Sequence, residues 1–191
     1  SSVADLTKNK KFSGTPDSIM YLKSLDVPRN TGDNFGRRIR AYLRVPKSGA
    51  YTFMVASDDQ SAVYLSTDEK PANKTEICKV TSSSKPEEWN KDKKNQKSKK
   101  VKLVKGRRYY FEVLHKEGGS EDHLTVGWQW PDKRFEKAIP EQYLEPFNAD
   151  VTVAPEEDED RSLHFLANYD ELDKTLTRLT NALGITLEAL D

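Results

Sequence analysis

The sequence predicts an all-β, antiparallel fold, a sandwich or a barrel, followed by a helical tail. Up to residue 150 the apolar residues recur with period two in short runs bounded by Gly, Pro, Asn and Asp clusters, which is the pattern of half-buried strands. No long helical period interrupts these runs. Beyond residue 161 the spacing changes to three and four, and the charge balance changes with it.

The elements follow in order. Ile39, Ala41, Leu43 and Val45 share one face of a first strand, with Arg38, Arg40, Tyr42 and Arg44 on the other. After the turn Pro46-Lys-Ser-Gly49, a second strand places Tyr51, Phe53 and Val55 together, and a third opposes Val63 and Leu65 to Ala62 and Tyr64. Their succession predicts a meander. Further strands are expected at 76–81, 100–104, 108–115 and 124–130, at least seven in all, enough for a sandwich or barrel. In the tail, Tyr169, Leu172, Leu176, Leu179 and Leu183 form one apolar helical stripe that should stop at Gly184.

Charge divides the chain. The 31 Lys and Arg balance 31 Asp and Glu, yet residues 151–191 hold ten acids against three bases, a net of −7, which leaves +7 before them. The run Pro155-Glu-Glu-Asp-Glu-Asp160 has no apolar residue to bury and reads as a linker. The expected domains are therefore a β-sandwich over 1–150, an acidic linker over 151–161 and a helical tail over 162–191.

Composition excludes several functions. The single Cys78 cannot form an internal disulfide, a zinc cluster or a redox pair. No apolar run approaches the roughly 18 to 20 residues that cross a bilayer, and no leader pattern opens the chain, so neither membrane insertion nor a targeting segment is expected. No Gly-x-Ser-x-Gly, Cys-His pairing or phosphate-cradling Gly loop is present, so the expectation is a protein that is not an enzyme. Residues 91–108 carry ten bases and one acid. They read as a solvated loop and edge strand that uses Lys against aggregation, with 91–100 mobile, exposed and without a required partner; no aromatic residue is interleaved as nucleic acid binding would want.

Two loops hold chemistry. In Ser57-Asp-Asp-Gln-Ser61 two acids directly follow an apolar strand. Successive strand residues point to opposite faces, so both carboxylates reach one ion only if the backbone between them bends out of register. A hard cation such as Ca²⁺, which takes six to eight oxygens, tolerates that bend; a plain turn with side chains bonding nearby amides explains the same residues. The second loop, His115-Lys-Glu-Gly-Gly-Ser-Glu-Asp-His123, has glycines that allow carbonyls to turn toward a ligand, and a solvated hairpin loop is the alternative. His115 and His123 flank it without a third soft ligand, which argues against zinc.

Seven segments in order, Asn34-Phe-Gly-Arg-Arg-Ile-Arg-Ala41, Pro46-Lys-Ser-Gly-Ala-Tyr-Thr-Phe53, Ala56-Ser-Asp-Asp59, Leu65-Ser-Thr-Asp68, Gln96-Lys-Ser98, Gly106-Arg-Arg-Tyr-Tyr-Phe111 and Val126-Gly-Trp128, resemble the protective-antigen domain family (PA-fourteen). Copies in secreted bacterial adhesins and glycosidases are the most similar. The resemblance covers about Lys11 to Phe147 and implies a β-sandwich with jelly-roll character that binds carbohydrate at a secreted or cell-surface location. It also implies a Ca²⁺ held by Asp58 and Asp59 across a cis peptide, with Glu117 as the matching side chain and the carbonyls near Gly119 and Glu121 completing the set. Asp58, Asp59 and Glu117 would then meet the glycan. The alternative is a structural or protein-interaction domain whose tail helix docks on a protein partner.

Overall fold

The computed structural model describes residues 2–147. The expected acidic linker (151–161) and helical tail (162–191) lie outside the described residues.

The period-two runs form strands where expected. These are β1 (Gly36–Arg44), β2 (Gly49–Asp58), β3 (Gln60–Ser66), β4 (Lys74–Val80), β5 (Val101–Leu103), β6 (Arg108–Lys116) and β7 (His123–Gln129), with two further short strands, β8 (Phe135–Glu136) and β9 (Leu144–Pro146). They build a five-stranded sheet ordered β4-β3-β6-β1-β9 and a four-stranded sheet ordered β5-β2-β7-β8, with every strand pair antiparallel. A short helix, α1 (Val3–Lys8), precedes them, opened by a capping box in which Ser2 and Asp5 each accept the other's backbone amide.

Alternation fills the core. Leu43, Val63, Leu65, Phe111 and Val113 from one sheet meet Tyr51, Phe53, Val55, Leu124, Val126 and Trp128 from the other, all buried. Tyr51 stacks on Trp128 with centroids 5.0 Å apart, and Phe53 meets Phe111 across the sheets at 6.0 Å. On the outer face of the smaller sheet, a Cβ at Gly127 would lie 2.7 Å from the Lys137 carbonyl oxygen. The bare glycine lets the chain fold back that closely.

The meander expectation is corrected. β1 and β3 lie in one sheet on either side of β6, while β2 lies in the other, paired with β7. Each of these strands carries one apolar face, and the chain buries those faces against each other by crossing between layers at 45–48 and again at Asp59. A hairpin between neighbours would have left them side by side.

The basic segment is corrected as well. Its lysines are exposed, but Gln96 and Ser98 are buried, and the backbone extends the open edge of β2 beyond β5. The Val55 amide donates to the Gln96 carbonyl (3.0 Å) and the Ser98 amide to the Phe53 carbonyl (2.9 Å). The Gln96 side-chain amide donates to the Val55 carbonyl at 3.1 Å and to the Glu88 carbonyl at 2.7 Å. A segment without apolar residues is anchored here because what β2 lacked was hydrogen-bond partners, not apolar cover.

Candidate functional site

Register brings the two chemically loaded loops to one end of the sandwich. Asp58, the last residue of β2, lies opposite His123, the first of β7, and Gln60 opens β3 opposite Lys116 near the end of β6. Asp59 alone carries the chain from one sheet to the other, and the Asp58-Asp59 peptide is cis. The passage from one sheet to the other falls at the point where strand alternation would have separated the two side chains.

Both aspartates are partly exposed, and Glu117 is fully buried. Glu117 stands at the corner facing the main chain. Its Oε2 accepts from the Asp59 amide at 3.0 Å, and its Oε1 accepts from the Gly119 amide at 2.6 Å. In return the Gly118 amide donates to Asp59 Oδ2 at 3.0 Å. These three bonds fasten the corner to the second loop. The Ser57 hydroxyl braces it from the core side, donating to the Asp59 carbonyl at 2.7 Å.

The expected ligand set divides by geometry. Among the described residues no three His, Cys, Asp or Glu side chains gather where they could hold one ion, and both carboxylate oxygens of Glu117, expected as a third ligand, are taken by the Asp59 and Gly119 amides. Gly119 and Glu121 are exposed, and among the described residues their carbonyls accept no hydrogen bond. The alternating carbonyls of Gly118 and Asp122 are occupied, by the Asn34 and Asn30 amides at 3.1 Å each. The available donors are therefore oxygens, as a hard cation requires.

Electrostatics at the corner is crowded. Burial, then the neighbouring Asp59 charge and the more distant Glu121, raise the Asp58 pKa above the usual aspartate value, against a lowering influence from His123. Burial also raises that of Glu117, with Asp59 and Asp58 adding to it, and outweighs the two amides that favour its ionised form.

A buried network missed at the sequence level supports this corner. His115 is fully buried, and its Nε2 lies 2.8 Å from the Asp58 carbonyl oxygen, so Nε2–H is the donor. Its Nδ1 faces Arg37 Nη1 at 3.4 Å, and the same guanidinium pairs with Asp122 Oδ1 at 3.0 Å. Asp122 also accepts from the Thr31 amide and hydroxyl. Burial alone would raise the Asp122 carboxyl, but Thr31 and Arg37 outweigh it and hold the pKa below the usual value. The only signal in the sequence for residues 30–34 is their Asn, Gly and Asp content, which marks a turn; Asn30 and Asn34 do adopt positive φ. His123 Nε2 donates to the Ser84 carbonyl at 2.8 Å, while its buried Nδ1 has no partner among the described residues.

A two-sheet antiparallel sandwich with a cis-linked acidic corner, tied to a glycine-bearing loop at one end, defines a β-sandwich module with a loop-built site. The chain belongs to the family of the PA14 domain, whose profile matches residues 4–142. It is 39% identical over 141 residues to the N-acetyl-beta-glucosaminyl-glycoprotein 4-beta-N-acetylgalactosaminyltransferase 1 of Mus musculus, covering 70% of this chain and 13% of that protein. It is 29% identical over 104 residues to the fibrocystin of Canis lupus familiaris, covering 51% of this chain and 3% of that one. The chain thus spans 13% or less of the length of these relatives. Among solved structures, the epithelial adhesin 6 A domain of Candida glabrata, in complex with Galb1-3GlcNAc, aligns with a TM-score of 0.47 at 13% identity, over 66% of this chain and 59% of that one. Among the described residues no helix is long and apolar enough to cross a membrane.

Proposed function

We propose that this chain is a non-catalytic, Ca²⁺-dependent carbohydrate-binding module of a secreted or cell-surface protein. The observation that carries the reading is the Asp58-Asp59 corner. Two partly exposed carboxylates are joined through a bent backbone, held by Glu117, and set beside a loop whose Gly119 and Glu121 carbonyls are unengaged among the described residues. Burial, with the neighbouring carboxylates adding, raises the Asp58 and Glu117 carboxyls above their usual values, and a cation at this corner would favour their ionised forms.

In this reading Asp58 and Asp59 hold the ion together with the Gly119 and Glu121 carbonyls, and Glu117 sets the distance between the two loops. Bound Ca²⁺ supplies coordination positions that two vicinal sugar hydroxyls can fill, as it accepts six to eight oxygens. Asp58 and Asp59 accept hydrogen bonds from those hydroxyls, charge-assisted and therefore directional, so sugars are told apart by the orientation of adjacent hydroxyls. The mouse relative is named for a transfer to glycoprotein sugars, which agrees with a glycan as ligand.

The deciding experiment is calorimetric titration of Ca²⁺ into chelator-treated protein, paired with a glycan array run with Ca²⁺ and with chelator. The reading expects heat and Ca²⁺-dependent glycan retention, both lost in Asp59→Ala. Absence of heat at about millimolar Ca²⁺, the weak end of known protein Ca²⁺ sites, sinks it. It would leave the alternative in which the sandwich serves as a spacer or protein-interaction domain.

A further inference from the structure

The end of the sandwich opposite the acidic corner carries a chemical signal of its own. The triplet Asn73-Lys74-Thr75 is the chain's one Asn-x-Ser/Thr sequence without proline between. Asn73 closes the short 3₁₀ turn Pro71–Asn73, and Thr75 is the second residue of β4; both side chains are exposed. The register of β3 against β4 runs from Ser61 opposite Val80 near the corner to Ser66 opposite Lys74, so the triplet lies at the far end. Lys74 between them turns the other way and pairs with the buried Glu112.

We propose that Asn73 is an N-glycosylation site. The inference rests on the secreted or cell-surface reading, since the donor, a lipid-pyrophosphate-linked oligosaccharide, is met during secretion. In the transfer, the Asn73 Nδ2–C1 bond forms as the C1–O bond to the lipid pyrophosphate breaks. The pyrophosphate leaves with the bonding electron pair, Nδ2 gives one proton to a base of the transferase, and the Thr75 hydroxyl is the group the transferase reads.

The local structure suits the product. Asn73 Nδ2 donates to Asp68 Oδ2 at 2.8 Å, and an amide carrying a sugar keeps one N–H with which to donate. Asp68 is itself held by the Lys70 amide at 2.8 Å and the Ser66 hydroxyl at 3.1 Å, which presents Asn73 from a defined turn. β4 is an edge strand of the five-stranded sheet. A glycan rooted at its start covers part of that edge against pairing with another chain, and it leaves the Asp58-Asp59 end open.

The test is to secrete the full chain, behind a leader, from a eukaryotic cell line and compare wild type with Asn73→Gln, Thr75→Ala and Thr75→Ser. Wild type should show one step of added mass that peptide N-glycosidase removes. Asn73→Gln and Thr75→Ala should lack it, and Thr75→Ser should keep it in part. Secreted wild type without the added mass, or added mass that persists in Asn73→Gln, overturns the proposal. Calcium titration of the same samples keeps the two readings apart: a glycosylated protein that gives no heat fails only the Ca²⁺ reading, and an unmodified protein that binds Ca²⁺ fails only this one.

Discussion

His115 Nε2 donates to the carbonyl of Asp58 across 2.8 Å, from a ring with no exposure to solvent. The bond reaches from the end of β6 in one sheet to the end of β2 in the other, and it fixes the peptide that carries the first acid of the corner. Arg37 sets the ring's tautomer from the far side by donating to Nδ1.

Replacing His115 tests this bond. His115→Leu removes the side-chain donor to the part-buried Asp58 carbonyl and should cost about 0.5–1.5 kcal/mol of stability. His115→Gln retains a donor near the same position and should recover part of that loss. Denaturant melts in chelator compare both variants with wild type, and a His115→Leu midpoint equal to that of wild type would show that the bond contributes nothing.

The same ring predicts an acid-sensitive window. Burial, with the Arg37 charge adding, lowers the His115 pKa to about 4, against an ordinary value of 6.5. Between those values the unfolded chain binds the proton and the folded one does not. The stabilisation is thus fully present above about pH 6.5 and falls as pH drops toward 4, by roughly 3 kcal/mol in total. Stability measured from pH 7 to pH 4 should show this slope in wild type and a shallower one in His115→Gln.

Asp58 and Glu117 act in the opposite direction, because their folded pKa values are raised. Without a cation, their ionised forms are disfavoured in the native state, so stability should improve as pH falls through the raised values. Asp58→Asn should therefore stabilise the chelated protein by about 0.5–1 kcal/mol, as surface-charge optimisation commonly does, while abolishing the rise in melting temperature on adding Ca²⁺. A destabilised Asp58→Asn would contradict the charge argument.

The basic segment separates charge from backbone anchoring. Changing Lys91, Lys93, Lys94 and Lys99 to Ser together should alter stability by only about 0.5 kcal/mol per site or less, since all four are exposed. Gln96→Ala removes two hydrogen bonds to main-chain carbonyls, the one to Val55 buried and the one to Glu88 part-buried, and should cost about 1–3 kcal/mol. Thermal melts of the two variants check the contrast.

Local rules carried the sequence reading a long way. Period-two alternation placed β1 through β7, because strand burial depends on residues two apart. Turn chemistry marked the Asp58-Asp59 and 115–123 loops, and the ordered motifs pointed to the family that the profile match shows. What the tertiary structure decided are contacts between residues far apart along the chain. The partition of strands between sheets was hidden because neighbouring strands in sequence need not be neighbours in space. Arg37 meets Asp122, and Glu117 meets the Asp59 amide, yet nothing local distinguishes those residues from the other charged residues on this chain. Gln96 and Ser98 read as solvated for the same reason: whether a polar residue is buried depends on which backbone groups the rest of the fold leaves unpaired, and only the assembled sandwich determines that.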